Sequence, residues 1–225
     1  MTTPTQPQLL FVEDQSSAGV SELFPSVWSS AENLSSPIAS VRHSSLDQLL
    51  KISAPRLSPL VAYLLSTRLT DPDPVFRGRV VESLASVLSP DENGDPAPSE
   101  VRDHLTIELS RMRQRQMFAI LQVAVGHEEM ENHVAILLNS NPYSGSHLAD
   151  ILCDRLNTVA IRKLAAYFIG QIGFLDALPT LERLAKRLSN RLDGQKTLAF
   201  STPSSADEAE LLPTIKDAIS RLVAP

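Results

Sequence analysis

The sequence predicts an all-α chain, a right-handed α-solenoid of stacked antiparallel helix pairs with no sheet. Three observations carry this expectation. Apolar residues recur at helical spacing from about residue 20 onward, and strict apolar-polar alternation is hard to find. Prolines stand at or just before the starts of the apolar stripes, where a missing N–H has no helical partner to lose. Two long stretches also share one order, an apolar helix, a short polar turn and a second helix opening on an apolar and then a basic residue.

Taken in order, residues 1–18 are Thr, Pro, Gln and Ser around a short apolar island, Leu9 to Val12, and read as a flexible N-terminal tail. The stretch "LLFVED" looks like the opening strand of a response-regulator receiver, but the residues after it carry helical spacing instead. The helical domain is expected over 19–225. Its stripes are Leu57, Leu60, Val61, Leu64 and Leu65, then Phe76, Val80, Leu84 and Val87. Ile161, Leu164, Ala165, Phe168, Ile169 and Ile172 follow, then Leu178, Leu181, Leu184, Ala185 and Leu188. The last set is Leu211, Ile215, Ala218, Ile219 and Leu222. Pro59, Pro74, Pro179 and Pro213 mark starts, and Gly173 marks the end after Ile172. Two stretches rich in turn formers, near 89–100 and 192–208, read as loop insertions.

The stretch "LTDPDPVFRGRVVESLASVL" explains the pairing. Its Asp-Pro-Asp-Pro turn must be tight for two helices to lie antiparallel. Asp73 is placed to accept bonds from the free N–H groups of the next helix, and its charge suits the positive end of the helix dipole. Pro74 starts that helix. Phe76-Arg77 recurs as Ile161-Arg162 and, earlier, as Val41-Arg42. Arg42 and Arg77 are 35 residues apart, whereas Arg77 and Arg162 are 85 apart, so a middle unit is expected between them, with Arg115 as its arginine.

This pattern resembles the HEAT-repeat family, including its phycobilisome-lyase-like branch. "LSPLVAYLLSTRLTDPDPVFRGRVVESLASVL" and "NTVAIRKLAAYFIGQIGFLDALPTLERLAKRL" carry it, with Ala165, Ala166 and Gly170 at positions where the family favours small residues. The resemblance covers about residues 36–190, and 98–145 fit it poorly. It implies that Arg42, Arg77 and Arg162 form a structural ladder, each pairing with a turn aspartate of a neighbouring repeat.

Bulk composition narrows the function classes. Apolar residues make up 43% of 225 residues, enough for a core, and the net charge of −6 does not indicate a general nucleic-acid surface. One cysteine, Cys153, makes neither an internal disulfide nor a multi-cysteine metal site. No lysine or arginine precedes Arg42, which fits neither a secretory signal nor a mitochondrial presequence, and no stretch approaches a membrane span. The expectation is a soluble cytoplasmic protein.

Chemistry-bearing motifs are few. In "GHEEMENH", His127 and His133 are six apart, about 120° around a helix, whereas a zinc-protease helix sets its two histidines four apart on one face. Deoxyhypusine hydroxylase, an iron enzyme of the same repeat fold, uses several His-Glu pairs, and here there is one, His127-Glu128. No nucleophile elbow or phosphate loop is present. Cys153 reads as a small core residue. We therefore expect no catalytic, cofactor or metal site. Arg183, Lys186, Arg187 and Arg191 form the best-aligned basic row and are the candidate partner surface.

Three functions follow. The first is a non-catalytic scaffold or adaptor that binds another protein. The resemblance also implies a phycobilin lyase-like protein or chaperone. A nucleic-acid-binding member of the same fold, of the alkylpurine glycosylase type, would need an aromatic-and-acid pocket, and Trp28 is the chain's one tryptophan, far from the basic row.

Overall fold

Asp73 begins a 15-residue helix. Its Oδ1 accepts from Val75 N at 2.9 Å and Phe76 N at 3.2 Å, and Pro74 takes the first helical position. The turn before it is held the same way, since Asp71 Oδ1 accepts from Asp73 N at 3.0 Å. Two short carboxylates thus satisfy backbone donors that a tight turn leaves unpaired.

The computed structural model describes residues 25–195 and 203–223, with side chains described up to 193 and from 209. Among them there is no strand, and the chain is all-α. The helices are α1 (Pro25–Asn33), α2 (Ala39–Lys51), α3 (Ala54–Leu57), α4 (Pro59–Ser66) and α5 (Pro74–Leu88). Then come α6 (Ser99–Ser110), α7 (Gln114–Ala124), α8 (Glu131–Asn139) and α9 (Ser144–Cys153). α10 (Val159–Ile172), α11 (Leu178–Gln195) and α12 (Pro203–Val223) complete the set. The expected tail, 1–18, with its island Leu9–Val12, lies outside the described residues.

Packing follows chain order. α1 lies on α2, α2 on α3 and α5, and α4 on α5 and α6. α5 meets α7 and α8, α7 meets α8, α9 and α10, and α10 and α11 both pack on α12. One apolar cluster runs from Val27 to Leu222 through all of these layers. Phe76, Val80, Leu84 and Val87 are fully buried, as are Ala165, Phe168, Ile169, Leu181, Leu211 and Ile215. Each large side chain buried this way stabilises by about 1.5–3 kcal/mol relative to exposure. Gly173 adopts φ +93° at the end of α10, and its N–H closes on Ile169 O at 3.1 Å.

Four expectations are corrected. Leu57 and Leu60 do not share a helix. Ser58 turns extended between α3 and α4, and its hydroxyl accepts from Val61 N at 3.1 Å, so the stripe is broken by a cap. Pro213 does not open a helix: α12 starts ten residues earlier, at Pro203, which leaves Pro213 in its interior and exposed. The region 192–208 is not a loop throughout, because α11 runs to Gln195 and α12 begins at Pro203. A proline suits that first helical position, where its missing N–H has no helical partner to lose. Finally, the middle unit is not built around Arg115, which is exposed in the first turn of α7.

The expected insertion near 89–100 is a loop over 89–98 that leads into α6. Asp91 Oδ1 accepts from Asn93 N and Asp95 N, both at 2.9 Å, and Gly94 supplies φ +87°. Arg56 pins the loop by donating to Ser89 O at 3.0 Å and Asp95 O at 2.9 Å. α6 then packs on α4.

Candidate functional site

The three arginines singled out in the sequence occupy one place. Each is the fourth residue of its helix, Arg42 in α2, Arg77 in α5 and Arg162 in α10, and each is less than a tenth exposed. Each turns back to the carbonyls that precede its helix. Arg42 Nη1 donates to Ser36 O at 2.9 Å and Pro37 O at 3.3 Å. Arg77 Nη1 donates to Asp71 O at 2.6 Å and Pro72 O at 3.4 Å, and Arg162 Nε to Leu152 O at 2.8 Å. A guanidinium carries enough donors to bond two turns at once. Arg42 Nη2 reaches Asp71 in the next turn at 3.0 Å, and Arg77 Nη2 reaches Gln122 in α7 at 3.2 Å. The Arg42 guanidinium also sits 5.6 Å from the Phe76 ring centroid.

At the corresponding position of α8 the chain has Val134, fully buried. Two features escaped sequence reasoning here. Gln122 stands where an aspartate was expected, and an amide oxygen gives no charge signal to search for. The turn aspartate that meets Arg42 is Asp71, whereas Asp73 caps α5 and faces His43, its Oδ2 lying 2.9 Å from His43 Nε2. The His43 hydrogen bond, with the Phe76 and Val75 amides, holds the Asp73 carboxyl below its ordinary pKa. Arg79 extends the set, its Nη1 lying 3.4 Å from His43 Nδ1 and its Nη2 paired with Asp47.

The basic row lies on α11. Arg183, Lys186 and Arg187 are exposed, and Arg191 is half-buried. Arg183 spends part of its guanidinium on its own helix, donating to Pro179 O and Thr180 Oγ1, both at 3.2 Å. The row passes the end of α9, where burial pushes the Cys153 thiol pKa up and the charges of Arg187 and Arg162 partly oppose that. A half-buried thiol raised in this way is a poor nucleophile.

The histidine motif does not converge. His127 Nδ1 lies 3.1 Å from Glu129 at the surface, while His133 Nδ1 is buried without a hydrogen-bond partner. Among the described residues no group of three or more His, Cys, Asp or Glu is placed to hold a metal ion. None of the described helices is long and apolar enough to cross a membrane.

Exposed apolar side chains stand at or just before the starts of four helices. They are Ile38 before α2, Val75 at the start of α5, Val125 before α8 and Leu156 before α10, the last 94% exposed. The spacing rules that located the core stripes pass over them, because none falls in phase with a buried stripe.

Fold and site together define an all-helical protein with buried arginines stapling successive turns. No protein-family model matches the chain, and comparison with curated proteins and with solved structures gives no match.

Proposed function

We propose that this chain is a HEAT-like α-solenoid that serves as a non-catalytic scaffold, binding an acidic protein along Arg183, Lys186, Arg187 and Arg191. One observation carries the reading: the recurrence of a buried arginine as the fourth residue of α2, α5 and α10, each donating to a backbone carbonyl ahead of its own helix. Such a staple is useful where equivalent helix pairs stack, since each pair buries its apolar face only against its neighbours. The packing of helices in chain order supports the same view. Stacked pairs give an extended surface, and a basic row on an otherwise acidic chain selects acidic partners.

The test reverses Arg183 and Arg187 to Glu. Exposed charges contribute little to stability, so helicity and the melting curve should stay close to wild type. Capture of native partners should fall, and the loss should be larger at low salt, where screening is weakest. Retained partners with unchanged salt sensitivity would reduce the row to a solvated helix face.

A further inference from the structure

We propose a second binding site, a cleft between the α6–α7 corner and the start of α9 that takes a phosphate monoester carried on a polypeptide side chain. The cleft is about 440 Å³, and no acidic residue lines it. Arg111 and Arg113 form one wall, and Tyr143, Ser146 and His147 form the other. Two arginines thus face one cleft on a chain whose net charge is −6. Arg111 shares one nitrogen with Glu108 at 2.8 Å, which leaves the rest of its fork available. The side chains of Arg113 and His147 have no hydrogen-bond or ion-pair partner among the described residues.

The two walls are fastened to each other. Asn141 is fully buried. Its amide donates to Leu109 O at 2.9 Å and to Met112 O at 3.0 Å, and its carbonyl oxygen accepts from Tyr143 N at 2.7 Å. Ser144 adds a buried bond to Leu138 O at 2.6 Å. The backbone that carries the donors is therefore fixed before a ligand arrives, which leaves mainly side-chain ordering to be met on binding.

A phosphate monoester matches this arrangement better than a lone carboxylate does. It offers three terminal oxygens and nearly two charges, and guanidinium forks bind it in a bidentate manner. The Tyr143 ring, 65% exposed, supplies an apolar face for the group that carries the phosphate. The carrier rests on the scaffold reading, since a scaffold meets side chains of other proteins. The oxyanion chemistry rests on the cleft alone, and no α11 residue lines it.

The experiment titrates the full chain, labelled with nitrogen-15, with N-acetyl-phosphotyrosine amide and N-acetyl-phosphoserine amide, following backbone amide shifts. N-acetyl-tyrosine amide, adenosine monophosphate and inorganic phosphate are the comparison arms. Saturable shifts are expected at residues 110–113 and 143–147 with at least one phosphorylated amide and not with the unphosphorylated one. Arg113→Gln with His147→Gln should weaken that binding about ten-fold or more, with an unchanged melting curve. Should the double variant misfold, shift mapping on the wild type decides alone. The proposal is overturned by absent or unsaturable shifts, by shifts centred on α11, or by equal binding of the unphosphorylated amide. Tighter binding of adenosine monophosphate or of inorganic phosphate also overturns it. The α11 charge reversal tests the scaffold independently, so the two failures are distinguishable.

Discussion

Arg42 and Asp71 show how much one buried pair can hold. Their side chains are 8% and 5% exposed, and the pair joins the α2 turn to the α5 turn. Truncating one partner leaves the other charge buried without its counterion, which costs about 3–5 kcal/mol. Arg42→Ala is expected to lower the melting temperature sharply. Adding Asp71→Asn should then cost less than it does alone, because the pair is already broken. A thermal double-mutant cycle reads this coupling, and strict additivity would show that the contact contributes nothing.

Asp73 gives the residue scale a pH dependence. Its folded pKa is depressed, first by the His43 hydrogen bond and then by the amides it caps. A depressed carboxyl adds stability that is fully present above the unfolded pKa and lost as pH falls through the folded one. The window therefore lies below about pH 4. Asp73→Asn keeps a capping oxygen and removes the titration. Its stability gap to wild type should close as pH falls below about pH 4, as measured by denaturant midpoints across pH.

At the scale of elements, the α10–α12 contact depends on an absent side chain. A Cβ on Gly170 would lie 2.7 Å from Ala218 Cα and 3.0 Å from Ala218 Cβ. Gly170→Ala would gain about 1 kcal/mol of helix propensity, but the clash is with backbone and typically costs about 1–3 kcal/mol. Net destabilisation is expected, together with faster amide exchange over 209–223 as α12 loosens. Protection equal to wild type would mean that the two helices slide apart at no cost. The same scale explains a misreading along the chain. Pro213 has the composition of a helix start, yet α12 accommodates it internally, where its missing N–H falls on an exposed side of the helix.

For the whole molecule, a core that runs unbroken from Val27 to Leu222 links the stability of neighbouring layers. Leu84 sits fully buried in α5, and α5 touches helices on both sides in the sequence. Leu84→Asp buries a carboxylate with no designed partner, at a cost of several kcal/mol. Loss of structure should spread beyond α5, visible as a depressed melt and as exchange in α2, α7 and α8. An unchanged melt would contradict the burial of this residue.

The sequence by itself determined the all-α class, the stripes that became the core, the Asp73 cap and the glycine stop at Gly173. These features are local: helical period, capping and turn chemistry act within a few residues, so they can be read without knowing what packs where. It also singled out Arg42, Arg77 and Arg162, because a repeated dipeptide at a helix start is a local signal too. Tertiary structure alone decided what those arginines touch, Asp71 for one and Gln122 for another, since partners 29 and 45 residues away leave no periodic trace. It alone showed that Arg115 is exposed in the first turn of α7, whereas the fourth residue of α8 is a fully buried Val134. And it alone brought Arg113 and His147 to one cleft through a buried Asn141, because that asparagine bonds across a gap of about thirty residues that no turn rule spans.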